Sequence, residues 1–123
     1  ASGICRTKEL QAAGAHVGLG VDGSASNDGS NMIQEVRQAL LIIRLRYQAD
    51  EVTHHDALYW ATKGSAQVLG RDDIGELAIG KQADIALFNL DEPRFSGSHD
   101  PLAALILCGA HSADYVMVAG QWK

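Results

Sequence analysis

The side chain best suited to chemistry in this sequence is the carboxylate of Asp22. It follows an apolar run, Val17-Gly-Leu-Gly-Val21, and precedes a loop of glycine, serine and asparagine that extends to Ser30. Such a run is typical of a buried strand in a parallel sheet, and catalytic side chains collect where such strands end. Aspartate also accepts backbone N–H groups in turns. The residue types alone therefore leave two readings of Asp22 open, a catalytic acid and a turn cap.

Other arrangements that could do chemistry are incomplete. Gly18-x-Gly20-x-x-Gly23 matches the dinucleotide-binding string, but its first glycines lie inside the predicted strand and no helix begins at Gly23. Ser24 and Ser26 lie in the same loop, without the Gly-x-Ser-x-Gly of a nucleophile elbow. We therefore expect neither a dinucleotide site nor a serine hydrolase triad.

The histidines show no metal-site spacing, since the sequence contains neither His-x-His nor Cys-x-x-Cys. His54 and His55 are adjacent, and neighbours on a helix point in different directions, so we expect them not to share one ion. His16 precedes the apolar run, at the end opposite Asp22. We expect solvated or capping histidines and no zinc site built from this chain alone.

Composition limits the possible partners. The 123 residues suit one domain, and the net charge of −5 argues against nucleic-acid binding, which favours a basic face. No apolar run has the length of a membrane span, so we expect no membrane association. Cys5 and Cys108 lie far apart and match no redox or metal spacing, which favours reduced thiols and a cytoplasmic location.

Hydrophobic periodicity and capping residues predict the elements that must position Asp22. Asn31 with Gln34, and Thr53 with Asp56, are typical helix starts. Helices are predicted over 7–13, about 32–48, from Thr53 to a stop at Gly70, and over 101–107; strands are predicted over 17–21, 76–79, 83–90 and 115–119.

Three features of this pattern are unusual. The strand at 17–21 has no parallel partner within reach, and a lone parallel strand is unstable. Residues 39–43 are apolar on every side, so we expect them to be buried against more than one neighbour. The hairpin predicted at Gly120-Gln121 lacks room for a second arm before the chain stops.

Three segments of the chain together resemble one family. They are Val17-Gly-Leu-Gly-Val-Asp-Gly-Ser-Ala-Ser-Asn27, then Thr53-x-x-x-Ala-Leu-x-x-Ala-Thr-x-Gly-Ser-Ala-x-x-Leu-Gly70, then Asp73-Ile-Gly-x-Leu-x-x-Gly-Lys-x-Ala-Asp84. In this order they resemble the C-terminal third of the amidohydrolase superfamily, in its cytosine/guanine deaminase and triazine hydrolase branch. Ser2-Gly-Ile-Cys5 and the loop after Asp22 look closest to its 8-oxoguanine deaminase-like members.

The resemblance implies an α/β fold: the C-terminal part of a (β/α)8 metal-dependent hydrolase barrel plus part of the flanking small β-domain. Residues 1–73 would supply the last strand and helices of the barrel, and residues 74–123 a partial small β-domain. A whole barrel needs about 250 residues. The family's His-x-His, its further histidines and its catalytic glutamate are missing from this chain.

The resemblance also implies roles for single residues. Asp22 would be both a ligand of one divalent metal, zinc or iron, and the proton shuttle of a hydrolytic deamination. Ser24 and Asn27 would brace its loop, and Gly3 and Ile4 would line the substrate pocket. With one ligand of four, we do not expect this chain alone to bind that metal tightly.

Two functional readings follow. The first is a C-terminal segment of an aminohydrolase that acts on a purine- or triazine-like ring, inactive in isolation and part of a homo-oligomer. The second is a free-standing binding or interaction domain of amidohydrolase origin, which would cover its orphan strand by self-association.

Overall fold

The computed structural model describes residues 3–110 and 112–123. It contains five α-helices, one π-helical turn, one 3-10 turn and three short strands. Four of the helices precede the first strand, and the fifth lies between the first and second strands. In chain order they are α1 (Thr7–Ala12), α2 (Met32–Ile43), α3 (His54–Tyr59), a π-helical turn (Trp60–Gly64), α4 (Ser65–Val68), β1 (Ile85–Leu87), a 3-10 turn (Pro93–Phe95), α5 (Pro101–Leu107), β2 (Tyr115–Val118) and β3 (Gln121–Trp122).

Polar side chains start three of the helices, and the sequence predicts two of these caps, those of α2 and α3. The Asn31 side chain accepts the N–H groups of Ile33 and Gln34 at the start of α2. Thr53 and Asp56 form a capping box at the start of α3. Asp100 caps α5, whose first residue is a proline that needs no N–H partner. These caps fix where α2, α3 and α5 begin.

The main core lies between α2, α3 and α5. Its buried members are Val36, Leu40, Ile43, Val52, Ala57, Trp60 and Ile106. Val17 and Leu19 pack against this cluster from the segment that leads to Asp22. Ile106 of α5 is fully buried here, so the second half of the chain contributes to the core that supports the first half.

The strands form one antiparallel sheet in the order β1-β2-β3. Ile85 pairs with Met117, and Met117 pairs in turn with Trp122. The last hairpin therefore has a short second arm, contrary to the sequence prediction. Its turn places Ala119 and Gly120 at φ values of 49° and 79°, as a two-residue hairpin turn requires.

Two other strand predictions were wrong. Residues 76–79 form no strand; the segment pairs with none of the strands described, and Glu76 forms ion pairs with Lys63 and Lys81 at 2.7 and 2.8 Å. The predicted strand 83–90 is reduced to β1, since only residues 85–87 pair with β2.

The apolar run 17–21 pairs with no strand among the described residues, as its lack of a partner within reach predicts, and it therefore forms no strand in this chain. The run is held by hydrogen bonds to the π-helical turn instead, through the N–H of Leu19 and the carbonyl of Trp60. A backbone segment that lies beside a helix cannot form the repeated hydrogen bonds of a β-sheet, so single hydrogen bonds hold this segment instead.

Helix α2 is shorter and less enclosed than predicted. It ends at Ile43, and turns complete the path to Tyr47. Leu41 and Ile42 are 41% and 38% exposed, so residues 39–43 are not buried on every side. No helix of the described chain is long and apolar enough to cross a lipid bilayer.

Candidate functional site

Asp22 lies at the end of the segment that crosses the main core, and its side chain is exposed. Its φ of 62° lies in the left-handed region, which few residues other than glycine adopt. The conformation turns the carboxylate back so that Oδ1 accepts the N–H of Gly23 at 2.8 Å. Strained backbone of this kind persists where the surroundings hold it, and it is frequent at functional sites.

Local hydrogen bonds keep Asp22 ionised. The N–H of Gly23, followed by the hydroxyl of Ser26, lowers the pKa of the Asp22 carboxyl below its usual value. Asp22 is therefore a carboxylate at neutral pH, the form that binds a cation. Since the side chain is also exposed, it fits the role of one ligand to a metal ion held partly by residues outside this chain.

The loop after Asp22 is a compact turn joined to α2. The N–H groups of Ser26 and Asn27 both donate to the Gly23 carbonyl at 2.9 Å. Asn27 Nδ2 donates to Glu35 Oε1 at 2.6 Å, and Asn27 Oδ1 accepts the N–H of Gly29 at 3.1 Å. Asn27 thus connects the loop to the first turn of α2.

The predicted brace Ser24 is exposed and makes no hydrogen bond within the described chain. The side chain of Ser26, in contrast, forms a hydrogen bond: its hydroxyl donates to the Gly23 carbonyl at 3.1 Å. Sequence reasoning weighed Ser26 only as a nucleophile and gave it no structural role. The turn at Gly23 was the signal for such a role, since serine often bonds the backbone of its own turn.

A close approach between the 17–19 segment and the π-helical turn positions the base of the site. The N–H of Leu19 donates to the Trp60 carbonyl at 3.1 Å and lies equally close to Ser65 Oγ. Ser65 Oγ lies 2.8 Å from the Trp60 carbonyl oxygen and 3.0 Å from that of Leu19, either of which can accept its proton. A Cβ on Gly18 would stand 2.8 Å from the Ser65 Cα, so glycine is required there.

Gly3 and Ile4 lie apart from the carboxylate. They line a groove of about 300 Å³ whose walls come from the 17–19 segment and from α2. Asp22 is not among its lining residues, whereas Glu35, the partner of Asn27, is. The described chain therefore brings Asn27 to the loop of Asp22 and places Gly3 and Ile4 in a neighbouring groove.

A second group of side chains has the geometry to hold a metal ion, which the spacing rules do not predict for adjacent histidines. The rings of His54 and His55 lie 4.4 Å apart between centroids, and His54 Nε2 lies 3.0 Å from Asp100 Oδ2. One ligand atom from each of the three residues lies within 4.8 Å of the others. Adjacent histidines can converge here because they open the first turn of α3, where the caps leave room for both rings.

Residues 1–123, the full chain, match the model of the Amidohydrolase family. The chain belongs to the amidohydrolase family. It is 71% identical over its whole length to the 8-oxoguanine deaminase of Pseudomonas aeruginosa, of which it covers 27%. The chain thus spans about a quarter of the length of this curated relative.

Solved amidohydrolase-type structures share the fold. The atrazine chlorohydrolase from Arthrobacter aurescens TC1, solved in complex with zinc, superposes with a TM-score of 0.90 at 40% identity, over 98% of this chain and 27% of that one. An adenosine deaminase from Xanthomonas campestris with bound zinc gives a TM-score of 0.90 at 33% identity, over 99% of this chain and 28% of that one. The arrangement of helices and short strands described above is therefore that of an amidohydrolase segment.

Proposed function

We propose that this chain is a C-terminal segment of a metal-dependent aminohydrolase that releases ammonia from a purine- or triazine-like ring, with 8-oxoguanine as the first substrate to test. The supporting observation is the ionised carboxylate of Asp22, held at the end of the 17–21 segment by the Gly23 N–H. The 71% identity to an 8-oxoguanine deaminase covers that segment and its loop.

Asp22 would supply one carboxylate ligand to a divalent metal whose other ligands lie outside this chain. When bound, such a metal lowers the pKa of a water molecule so that it can act as a nucleophile near neutral pH. As the water oxygen bonds to the ring carbon, the C=N electron pair moves to the ring nitrogen, which ends with one of the two water protons, and Asp22 takes the other. It then returns a proton to the amino nitrogen, which leaves as ammonia when the C–N bond breaks.

The loop residues hold Asp22 in position for both proton transfers. The Gly23 N–H bonds the carboxylate directly, the Ser26 hydroxyl bonds the Gly23 carbonyl, and Asn27 connects the turn to Glu35 of α2. A shuttle must lie within hydrogen-bond reach of two different atoms, and small displacements are costly. Ser24, which is exposed, would act only in contact with parts of the protein outside this chain.

Gly3 and Ile4 would contribute to substrate binding through the groove beside the 17–19 segment. Ile4 is half-buried and offers an apolar surface of the kind that a flat ring packs against. Residues 1–73 would then complete a (β/α)8 barrel, with Val17–Val21 as the strand that gains its partners there. Residues 74–123 would form part of a small flanking β-domain.

The proposal is tested by measuring ammonia release from 8-oxoguanine with two proteins. The first is the chain alone, for which no turnover is expected because one carboxylate cannot hold the metal. The second is the Pseudomonas aeruginosa 8-oxoguanine deaminase in which residues 1–123 replace the matching segment, and this chimera should retain activity. Metal-dependent turnover by the isolated chain would contradict the segment assignment.

The second functional reading, a self-associating interaction domain, is favoured by one observation. Several apolar side chains near the start of the sheet and at the end of α4 are strongly exposed: Leu69, Leu77 and Ile79 have exposed fractions of 70%, 72% and 106%. Leu77 and Ile79 also line one groove, and large exposed apolar patches mark interaction sites. In light scattering, a monomer at micromolar concentration would count against the interaction domain.

A further inference from the structure

We propose that His54, His55 and Asp100 form a binding site for one divalent transition-metal ion of the zinc class, separate from the site of Asp22. The three side chains come from the start of α3 and from the cap of α5, which are far apart in sequence. Nitrogen and carboxylate ligands of this kind suit zinc, cobalt and nickel. The proposal does not depend on the deaminase function.

Asp100 is oriented by the helix that it caps. Its Oδ1 accepts the N–H groups of Leu102 and Ala103 at 2.9 and 3.0 Å. These bonds lower the pKa of the carboxyl, that of Ala103 most, and keep it ionised. With Oδ1 occupied, Oδ2 is turned toward His54, so the carboxylate presents one oxygen in a fixed direction.

The contact between His54 and Asp100 is unusual. His54 Nε2 lies 3.0 Å from Asp100 Oδ2, yet this buried nitrogen forms no well-aligned hydrogen bond within the described chain. Buried polar atoms are rarely left in this state. A metal ion would satisfy both atoms, because ligands about 2.0–2.1 Å from a tetrahedral zinc lie roughly 3.3 Å from one another.

His55 completes the set and leaves the site open to solvent. Its ring stacks at a tilt of 36° on that of His54, and its side chain is exposed. All three ligand atoms lie within 4.8 Å of one another, so each pair is at most about 1.5 Å wider apart than tetrahedral zinc requires. A water molecule would take the fourth position, and the bound ion would tie the start of α3 to the start of α5.

Charge and competing ligands are consistent with this assignment. The positive ends of two helices oppose a cation, but Asp100 neutralises one and Asp56, in the capping box, the other. The thiols of Cys5 and Cys108 are exposed and do not belong to the group. A cation bound here would therefore have nitrogen and oxygen ligands without sulfur.

The test is a titration of the metal-free chain with Co²⁺, followed by visible spectroscopy and calorimetry. We expect one equivalent to bind, with the d–d bands of four-coordinate cobalt and no thiolate charge-transfer band. His55→Gln and Asp100→Asn should each weaken binding by about tenfold or more. Both variants should fold, since His55 is exposed and asparagine caps a helix as well as aspartate does.

His99→Gln is the matched control, because His99 is the exposed neighbour of Asp100 and lies outside the group. It should bind Co²⁺ as the unaltered chain does, and so should Asp22→Asn. Zinc should also shift the ring-nitrogen NMR signals of His54 and His55 without shifting that of His99. Absence of binding, or binding unchanged in both His55→Gln and Asp100→Asn, would overturn the proposal.

Discussion

The carbonyl of Trp60 accepts a hydrogen bond from the backbone N–H of Leu19 at 3.1 Å, which ties the segment before Asp22 to the π-helical turn. Single π-helical turns inside α-helices are rare, and those that occur are often found at functional sites. Here the turn begins at Trp60, whose backbone carbonyl accepts a hydrogen bond from Leu19, a residue outside the helix. The position of Asp22 therefore depends on the conformation of residues 60–64.

Gly64→Ala should destabilise the chain by about 1–3 kcal/mol, as overpacking does in a close-packed interior. A Cβ at this buried position would overlap the carbonyl oxygen of Val17 and lie 3.1 Å from that of Tyr59. Urea unfolding measures the effect. Gly20→Ala is the control and should be nearly neutral, because nothing lies within 4 Å of its added Cβ.

Ser65→Ala should cost about 1 kcal/mol of unfolding free energy, the usual net value of a hydrogen bond. The change removes a hydroxyl that bridges the Leu19 backbone and the Trp60 carbonyl. The same unfolding measurement applies, with the exposed Ser112→Ala as control. Equal stability of the two variants would show that the Leu19 N–H to Trp60 bond suffices alone.

Asn27→Asp should loosen the loop that carries Asp22. The substitution replaces the amide that donates to Glu35 by a second carboxylate, and the two charges repel. Loss of about 1 kcal/mol of local stability corresponds to roughly fivefold faster hydrogen exchange at the amide of Gly29, which bonds to Asn27. The amide of Gly14, bonded to the Gln11 carbonyl at 2.9 Å, should exchange at an unchanged rate.

Glu76 predicts an acid-sensitive contribution to stability. Hydrogen bonds from Lys63 and then Lys81 lower the pKa of Glu76 from its ordinary 4.5 to about 2. Because the folded pKa is the lower one, the contribution is complete above pH 4.5 and is lost as the pH falls toward 2. Glu76→Gln should thus melt at a lower temperature at neutral pH, and the difference should shrink below pH 4.5.

The control for this pH dependence is Asp91→Asn, since Asp91 is exposed and makes no ion pair within the described chain. Its melting temperature should follow that of the unaltered chain at every pH. A difference between Glu76→Gln and the unaltered chain that persists undiminished at pH 2 would exclude the two lysine contacts as its cause.

Local signals predicted much of the fold. The caps at Asn31 and Thr53, and the proline at the start of α5, placed the helix starts correctly because these interactions involve neighbouring residues. Strands were predicted less well, since a strand needs a partner that the pattern of residues 17–21 or 76–79 cannot specify. The approach of Asp100 to His54 was not foreseen for a similar reason, because it joins residues far apart in the chain; the prediction that the adjacent histidines do not share one ion stays untested.

The site itself was predicted through one residue and its family resemblance. The apolar run and the glycine-rich loop singled out Asp22 without deciding its role, which the resemblance implies and which stays a prediction, and Asn27 bonds Glu35 as a brace of that loop would. The roles of Ser65 and Gly18 were not foreseen, because a close approach between a segment and a helix leaves only small residues as its signature. Small residues occur in a sequence for many other reasons, so they do not by themselves predict a close approach.

The central claim is that Asp22 is a metal ligand and the proton shuttle of a deaminase, and one measurement addresses it directly. In the Pseudomonas aeruginosa chimera that carries residues 1–123, ammonia release and bound metal are compared for Asp22→Asn and for the exposed loop acid Asp28→Asn. We predict that Asp22→Asn lowers kcat by about 10²–10⁴-fold and weakens metal retention, whereas Asp28→Asn changes neither. An Asp22→Asn chimera with full turnover and full metal content would contradict the account.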